Sequence, residues 1–248
     1  MHPTSGNLAL AGYDDIFASS NAPAAGESIV KISLEELLPP DYHPFQVTDD
    51  AAMDRLVKSI MRYGVREPGL VPPRLDGGYE LLVGNRRKRA CDLAGLPELP
   101  VIIHEIDDDE AVLVMVDSNL EQRETLLPSE KAWAYRMKLD ALNHRGARSD
   151  TPGQLSVDIL CEQTGESKNT VFRFIRLTEL VPALADRVDA RKLAFNPAVE
   201  LSYLTRTEQG MVLDCMAKYQ IKPSLSQAQR MKKFSFAYKK MIKYKCWG

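Results

Sequence analysis

The sequence predicts an α+β chain, with a small mixed α/β domain on the N-terminal side and an all-α domain with a helix-turn-helix behind it. Three observations predict it. Apolar spacing changes from mixed strand and helix periods to helix periods alone near residues 125–128. Charge changes sign at the same place. Residues 1–124 hold 11 Lys/Arg against 22 Asp/Glu, a net of −11, and residues 125–248 hold 21 against 12, a net of +9. Finally, 248 residues at 44% hydrophobic content supply apolar material for two small cores.

Several classes are excluded at once. No stretch approaches the ~18–20 apolar residues that span a bilayer, and the opening residues lack the basic start of a signal peptide. A cytoplasmic location is expected. The four cysteines, Cys91, Cys161, Cys215 and Cys246, form no CxxC pair, and the four histidines are equally scattered. They read as thiols of a reducing compartment, without the paired ligands of a structural metal.

Residues 1–27 are rich in Ala, Ser, Gly, Pro and Asn and read as a flexible arm. Within it, Tyr13-Asp-Asp-Ile-Phe17 is an acidic-aromatic island that suits either a partner-docking motif or an inert tail. The α/β domain is assigned to residues 28–126. Ser28–Ile32 alternates as a short strand. Ala51–Tyr63 carries Met53, Leu56, Val57, Ile60 and Met61 on one helical face and stops at Gly64. Leu70–Arg74 is extended, Asp76-Gly-Gly78 is a hairpin turn, and Tyr79–Val83 is a strand. Gly84 then opens a helix ending near Ala94, with Gly95 as its stop. Leu99–His104 is a buried strand. Asp107–Glu110 places acids where the next helix begins.

The helical domain is assigned to residues 127–229, with Ser129 as N-cap of a helix over Ala132–Leu142. His144–Gly153 reads as a polar loop. Short helices follow at roughly 155–163, 167–179, 182–188, 197–204, 207–219 and 224–234. Residues 230–248 form a tail with seven Lys/Arg, no acids and interleaved aromatics. Such a segment suits nucleic acid, an anionic membrane surface, or simply a chain end.

The first chemical motif is Gly84-Asn85-Arg86-Arg87-Lys88-Arg89, four cations in the first turn of a helix that follows a strand. A helix N-terminus already carries about half a positive charge, so cations there are unfavourable. An anion would resolve the conflict, with Gly84 admitting the backbone and guanidinium forks gripping paired oxygens. Pairing with nearby carboxylates such as Asp92 or Glu80 is the plainer alternative.

This segment resembles the arginine box, GERRxRA, of ParB/RepB-type partition proteins. Gly64-Val-Arg-Glu-Pro68 is similar to that family's GxxQP loop, with Glu67 in place of glutamine. Asn119-Leu-Glu-Gln-Arg-Glu124, followed by Leu127-Pro128-Ser-Glu-Lys-Ala132, resembles its ENxQR box and the helix behind it. The resemblance covers roughly residues 28–230 and implies a ParB/sulfiredoxin-like first domain that binds CTP with Mg2+. Gly84, Asn85, Arg86, Arg87 and Arg89 would surround the triphosphate, and Gly64 and Pro68 would shape the loop above it. Asn119 and Arg123 would approach the terminal phosphate, with Asn119 near the Mg2+. Asn85 stands where the family has glutamate, and the Glu-Asn pair of the third box is missing. Phosphate binding is therefore expected, and turnover would at most be slow CTP hydrolysis. The related sulfiredoxins need a cysteine in their GCHR loop. Here the stretch is Gly84-Asn85-Arg86-Arg87, without that thiol. A ParB-like nuclease would need clustered carboxylates for metal ions. The run Asp107–Glu110 is already explained as a helix start.

The second motif is Val157–Gln163, a turn at Thr164-Gly165-Glu166, and a helix from Lys168 to Leu177 capped by Ser167. Leu160, Val171, Phe174 and Leu177 fall inward, and Cys161 supplies a small residue where the helices cross. Ser167, Lys168, Asn169, Thr170, Arg173 and Arg176 fall outward, as on a recognition helix. Asn169 and Arg173 are candidates for bidentate base contacts.

Together these readings predict a sequence-specific DNA-binding protein of partition type. The resemblance implies a CTP-gated clamp for plasmid or chromosome segregation, working as a homodimer on double-stranded DNA. It further implies a ParA-type ATPase as a possible partner of the N-terminal arm. A plain helix-turn-helix regulator and a nuclease are the alternatives.

Overall fold

The computed structural model describes residues 28–40, 42–122, 125–147 and 154–245. The predicted arm at residues 1–27, Arg123 and the tip of the predicted loop at 148–153 lie outside them. The chain divides into two units, Met1–Arg123 and Glu124–Gly248.

In the first unit, β1 (Ile29–Ser33), β5 (Glu98–Ile103) and β3 (Gly69–Val71) form a sheet in the order β1-β5-β3. β1 runs antiparallel to β5, pairing Ile29 with Ile102 and Ser33 with Glu98. β3 runs parallel to β5, pairing Gly69 with Val101. A second, parallel pair joins β2 (Leu37–Leu38) to β4 (Tyr79–Glu80). Parallel neighbours need a crossover, and the segment between each pair supplies one.

Helix α1 (Ala51–Tyr63) begins where Asp50 Oδ1 accepts from Met53 N at 2.8 Å. It buries Met53 and Ile60 and ends at Gly64, whose φ of 72° admits the left-handed turn. Helix α2 (Asn85–Leu93) buries Ala90 and Cys91. Together with Ile32, Leu37, Val71, Leu81, Leu99 and Val101 these residues form the core of the unit. Helix α3 (Asp108–Gln122) is capped by Asp107, whose Oδ1 accepts from Glu110 N at 2.8 Å. The predicted strand at Tyr79–Val83 is shorter, because beyond Glu80 only an isolated bridge joins Val83 to Leu70.

The second unit is helical: α4 (Pro128–Ala147), α5 (Gln154–Thr164), α6 (Lys168–Arg176) with a 3-10 turn at Leu177–Glu179, α7 (Pro182–Asp189), α8 (Phe195–Leu201), α9 (Arg206–Tyr219) and α10 (Leu225–Lys245). Two helices exceed their sequence limits by more than two residues. α4 starts at Pro128, because proline suits a first helical position. It runs through His144 into part of the predicted loop. Ser129 lies inside the helix and does not cap it; its N–H and Oγ both donate to Asp189, at 2.9 and 2.5 Å. The α10 backbone continues through most of the predicted tail.

The core of this unit gathers Ala132, Leu177, Leu184, Val188, Leu193, Ala198, Leu201 and Ala228. Among the buried polar residues of this unit is Gln209, 1% exposed. Its Oε1 accepts from Val181 N at 2.8 Å, and its Nε2 donates to the carbonyls of Glu179 and Leu204, each at 3.1 Å. One side chain thus satisfies backbone groups at the α7 start and the α9 approach.

Candidate functional site

The first site is built around the opening turn of α2. Gly84 has a φ of 114°, a left-handed conformation that favours glycine, and no side chain caps the turn. A Cβ on Gly84 would lie 3.2 Å from the Cα of Gly69. One on Gly69 would lie 3.0 Å from the Val83 carbonyl oxygen. The two glycines let the strand before the turn and the chain after Pro68 meet with backbone against backbone. Gly69 was not singled out by the sequence, because its need is visible only against Gly84.

Each basic side chain in the turn has an anchor. Arg87 Nη1 donates to the Glu67 and Pro68 carbonyls, both at 2.6 Å, and its side chain is only 12% exposed. The predicted loop at Gly64–Pro68 is thus tied to the predicted arginine box. Arg86 Nη2 reaches Asp50 at 3.4 Å. Arg89 binds Asp49 through two bonds, at 3.1 and 2.7 Å, and Asp92 through a third at 2.7 Å. Lys88 Nζ donates to the Leu37 carbonyl at 2.5 Å, and burial lowers its pKa. The Arg89 hydrogen bond holds the Asp49 carboxyl below its ordinary value. Asp50 is also lowered, first by the Met53 N–H that it caps and secondarily by Arg86.

Asn85, at the position where the resembling family carries glutamate, faces the 42–50 segment. Its Nδ2 donates to the Leu81 carbonyl at 3.1 Å and lies 3.2 Å from His43 Nε2. His43 Nδ1 is 2.8 Å from the Phe45 carbonyl. With Nδ1 carrying the proton, Nε2 is left to accept from Asn85. His43, Asp49 and Asp50 are site residues that sequence reasoning missed. Asp50 had a local signal as a helix cap, but nothing local joined it to a cation 36 residues later.

Asn119, on α3, donates Nδ2 to the Met115 carbonyl at 2.8 Å. Its remaining oxygen is a neutral amide, and among the described residues no group of three His, Cys, Asp or Glu is arranged to hold a metal ion. This donor set fits magnesium poorly, since Mg2+ favours carboxylate and phosphate oxygens.

The second site is the helix-turn-helix. Leu160 and Val171 are fully buried, as predicted, across a turn where Gly165 has a φ of 68°. Ser167 Oγ accepts from Thr170 N at 3.2 Å. Thr170 Oγ1 also meets Ser167 Oγ at 2.9 Å, which ties the two hydroxyls together at the cap. Lys168 pairs with Asp158 at 2.5 Å and remains half-exposed, while Asn169 is exposed. Arg173 lies over the Phe195 ring, 5.2 Å from its centroid, and hydrogen-bonds Asn196. Arg176 Nη2 donates to the Ser202 carbonyl at 2.5 Å and lies 4.1 Å from the Tyr203 centroid. Both arginines, read from the sequence as outward-facing, hold the region around α8 against α6.

An α/β domain with a basic, uncapped helix start and a separate helix-turn-helix unit define a two-domain protein. Residues 18–120 match the ParB N-terminal domain family. The curated "Probable chromosome 1-partitioning protein ParB" of Deinococcus radiodurans is 33% identical over 192 residues, spanning 75% of this chain and 62% of that protein. The "Probable chromosome-partitioning protein ParB" of Neisseria meningitidis serogroup A is 28% identical over 198 residues, spanning 80% of this chain and 65% of that protein. A C-terminally truncated ParB from Caulobacter crescentus, solved with the centromeric parS site, aligns over 82% of this chain and 98% of that one, with a TM-score of 0.45 and 19% identity. The first domain is therefore similar to the ParB N-terminal domain, and the chain as a whole is similar to curated ParB proteins. It spans less than two thirds of the length of these two curated relatives. No helix among the described residues is long and apolar enough to cross a membrane.

Proposed function

We propose that this chain is a DNA-binding partition protein whose first domain binds CTP at the α2 start and whose second domain reads duplex DNA through α6. The observation that carries the nucleotide reading is the cation-rich first turn of α2 behind a left-handed Gly84, with no side-chain cap. Such a turn offers N–H groups and fixed guanidinium forks to phosphoryl oxygens. Gly84, Asn85, Arg86, Arg87 and Arg89 would surround the phosphates, with Gly64 and Pro68 shaping the loop held by Arg87. Asn119 and Arg123 complete the proposed set. Any Mg2+ would be held mainly by the phosphates, given the neutral amide at Asn119.

CTP, when bound, supplies the free energy that separates two states of the protein. It can favour a closed clamp only by binding that state better. In this chain Arg87 links the site to the Gly64–Pro68 loop, and Asp49 and Asp50 link Arg89 and Arg86 to the 42–50 segment. Both loops therefore respond to anything that draws those guanidinium groups away. A homodimer on DNA, a ParA-type ATPase at the N-terminal arm and residence at the nucleoid or a plasmid follow from the same reading.

The test is a calorimetric CTP titration of the full chain, with and without duplex DNA, against Arg86→Ala. Binding that DNA strengthens and Arg86→Ala weakens is expected. No binding in any arm sinks the nucleotide half. A second reading rests on a specific observation: each basic side chain of the turn already has a protein partner. On that reading the box is structural and the chain is a regulator without a nucleotide switch. The same titration separates the two.

A further inference from the structure

The outward face of α6 carries an aromatic residue that the DNA reading does not use. Phe172 is 48% exposed, on a helix whose neighbouring Val171 is fully buried. Phe172 lies three residues after Asn169 and four after Lys168, so these side chains share one face of the first turns. Arg173 and Arg176, the long basic side chains of the same helix, are drawn to Asn196 and Phe195 and to Ser202 and Tyr203. Ser167 and Thr170 hydrogen-bond to each other at the cap. The edge left exposed is Asn169 and Phe172, with Lys168 half-exposed beside them in its ion pair with Asp158.

We propose that Phe172 is a specificity-determining residue that reads the C5-methyl group of a thymine in the major groove. The proposal rests on the DNA reading above. A phenyl ring can neither donate to nor accept from a base edge, and beside a phosphate it would only shed water. The thymine methyl is the apolar feature that distinguishes one base pair from another in the major groove. Asn169, one turn earlier on the same face, has the paired donor and acceptor that match adenine N6 and N7. The two side chains together select an A·T-rich step, with Asn169 supplying hydrogen bonds and Phe172 apolar contact.

The test selects duplexes from a random pool with the full wild-type chain and with Phe172→Ala, at one salt concentration. The wild-type consensus is expected to contain a thymine that the variant no longer enriches. In the selected duplex that thymine is then replaced by deoxyuridine, which removes one methyl and keeps the base pairing. The wild-type chain should bind the deoxyuridine duplex about fourfold more weakly, the effect of losing one buried methyl. Phe172→Ala should bind the two duplexes equally, and Phe172→Leu should recover part of the preference. A far-ultraviolet melt confirms that the variants fold. Equal binding of both duplexes by the wild-type chain, or an unchanged preference in Phe172→Ala, overturns the proposal and leaves Phe172 to a protein contact. If the wild-type chain selects no sequence at all, the DNA reading itself falls, and this assignment falls with it.

Discussion

A single nitrogen of Arg87 donates to two successive backbone carbonyls, those of Glu67 and Pro68, at 2.6 Å each. Bonds from a cation are roughly twice as strong as neutral ones. The pair ties the loop after α1 to the start of α2. Arg87→Ala removes the nitrogen that makes both bonds. We expect it to destabilise the first domain by about 1.5–3 kcal/mol, read from urea midpoints, and to lower CTP affinity. A variant with unchanged CTP affinity would mean that the arginine serves the fold alone.

Gly84→Ala tests the glycine pair. The alanine would sit at a φ of 114° with its Cβ 3.2 Å from the Gly69 Cα. The cost is about 1–3 kcal/mol. Hydrogen exchange should show faster opening of α2 and β3 while α4 and α7 keep their protection. Equal loosening of both units would show that the effect is not local.

Acid should loosen the same site. The Asp49 pKa is lowered from 3.8 by its bond to Arg89. Its contribution is therefore complete above 3.8 and is lost as pH falls through the lowered value of the folded state. Asp49→Asn should flatten that part of the pH dependence of the urea midpoint and leave the neutral-pH fold intact. An unchanged acid profile would assign the effect to other carboxylates.

Gln209→Leu removes the partner of three backbone groups, one of them in a buried bond and two in part-buried ones. Each unsatisfied group costs about 1–3 kcal/mol, while the leucine recovers part of the loss through apolar burial. A net loss of about 2–4 kcal/mol is expected in the second domain. A neutral result would indicate that water replaces the amide.

Lys168→Ala should weaken DNA binding evenly across sequences and reduce the salt slope by about one. A gel-shift series at several salt concentrations reads this directly. A sequence-selective loss would instead place the lysine at a base edge.

The limits of local reading are visible in particular residues. α1 was legible to its ends because Asp50, Gly64 and the apolar face all act within the helix. The turn at Asp76–Gly78 was legible because glycine supplies the positive φ of Gly77 and Gly78. The extent of α10 was not. Its sequence from Arg230 onward is basic and aromatic rather than cleanly periodic, yet the backbone stays helical through Lys245. Ser129 was misplaced as a cap because its partner, Asp189, is 60 residues away.

The sequence alone determined the two-unit order, the cation cluster behind Gly84 and the helix-turn-helix, since each rests on periodicity, turn chemistry or charge within a short window. Only the tertiary structure decided where those charges go. It set Arg87 on the Glu67 and Pro68 carbonyls, Arg89 on Asp49, and Arg173 and Arg176 on the region around α8. It thereby left Phe172 outward on α6. Guanidinium groups take the carbonyls and carboxylates that folding brings within hydrogen-bond reach, and that proximity is a property of packing rather than of neighbouring residues.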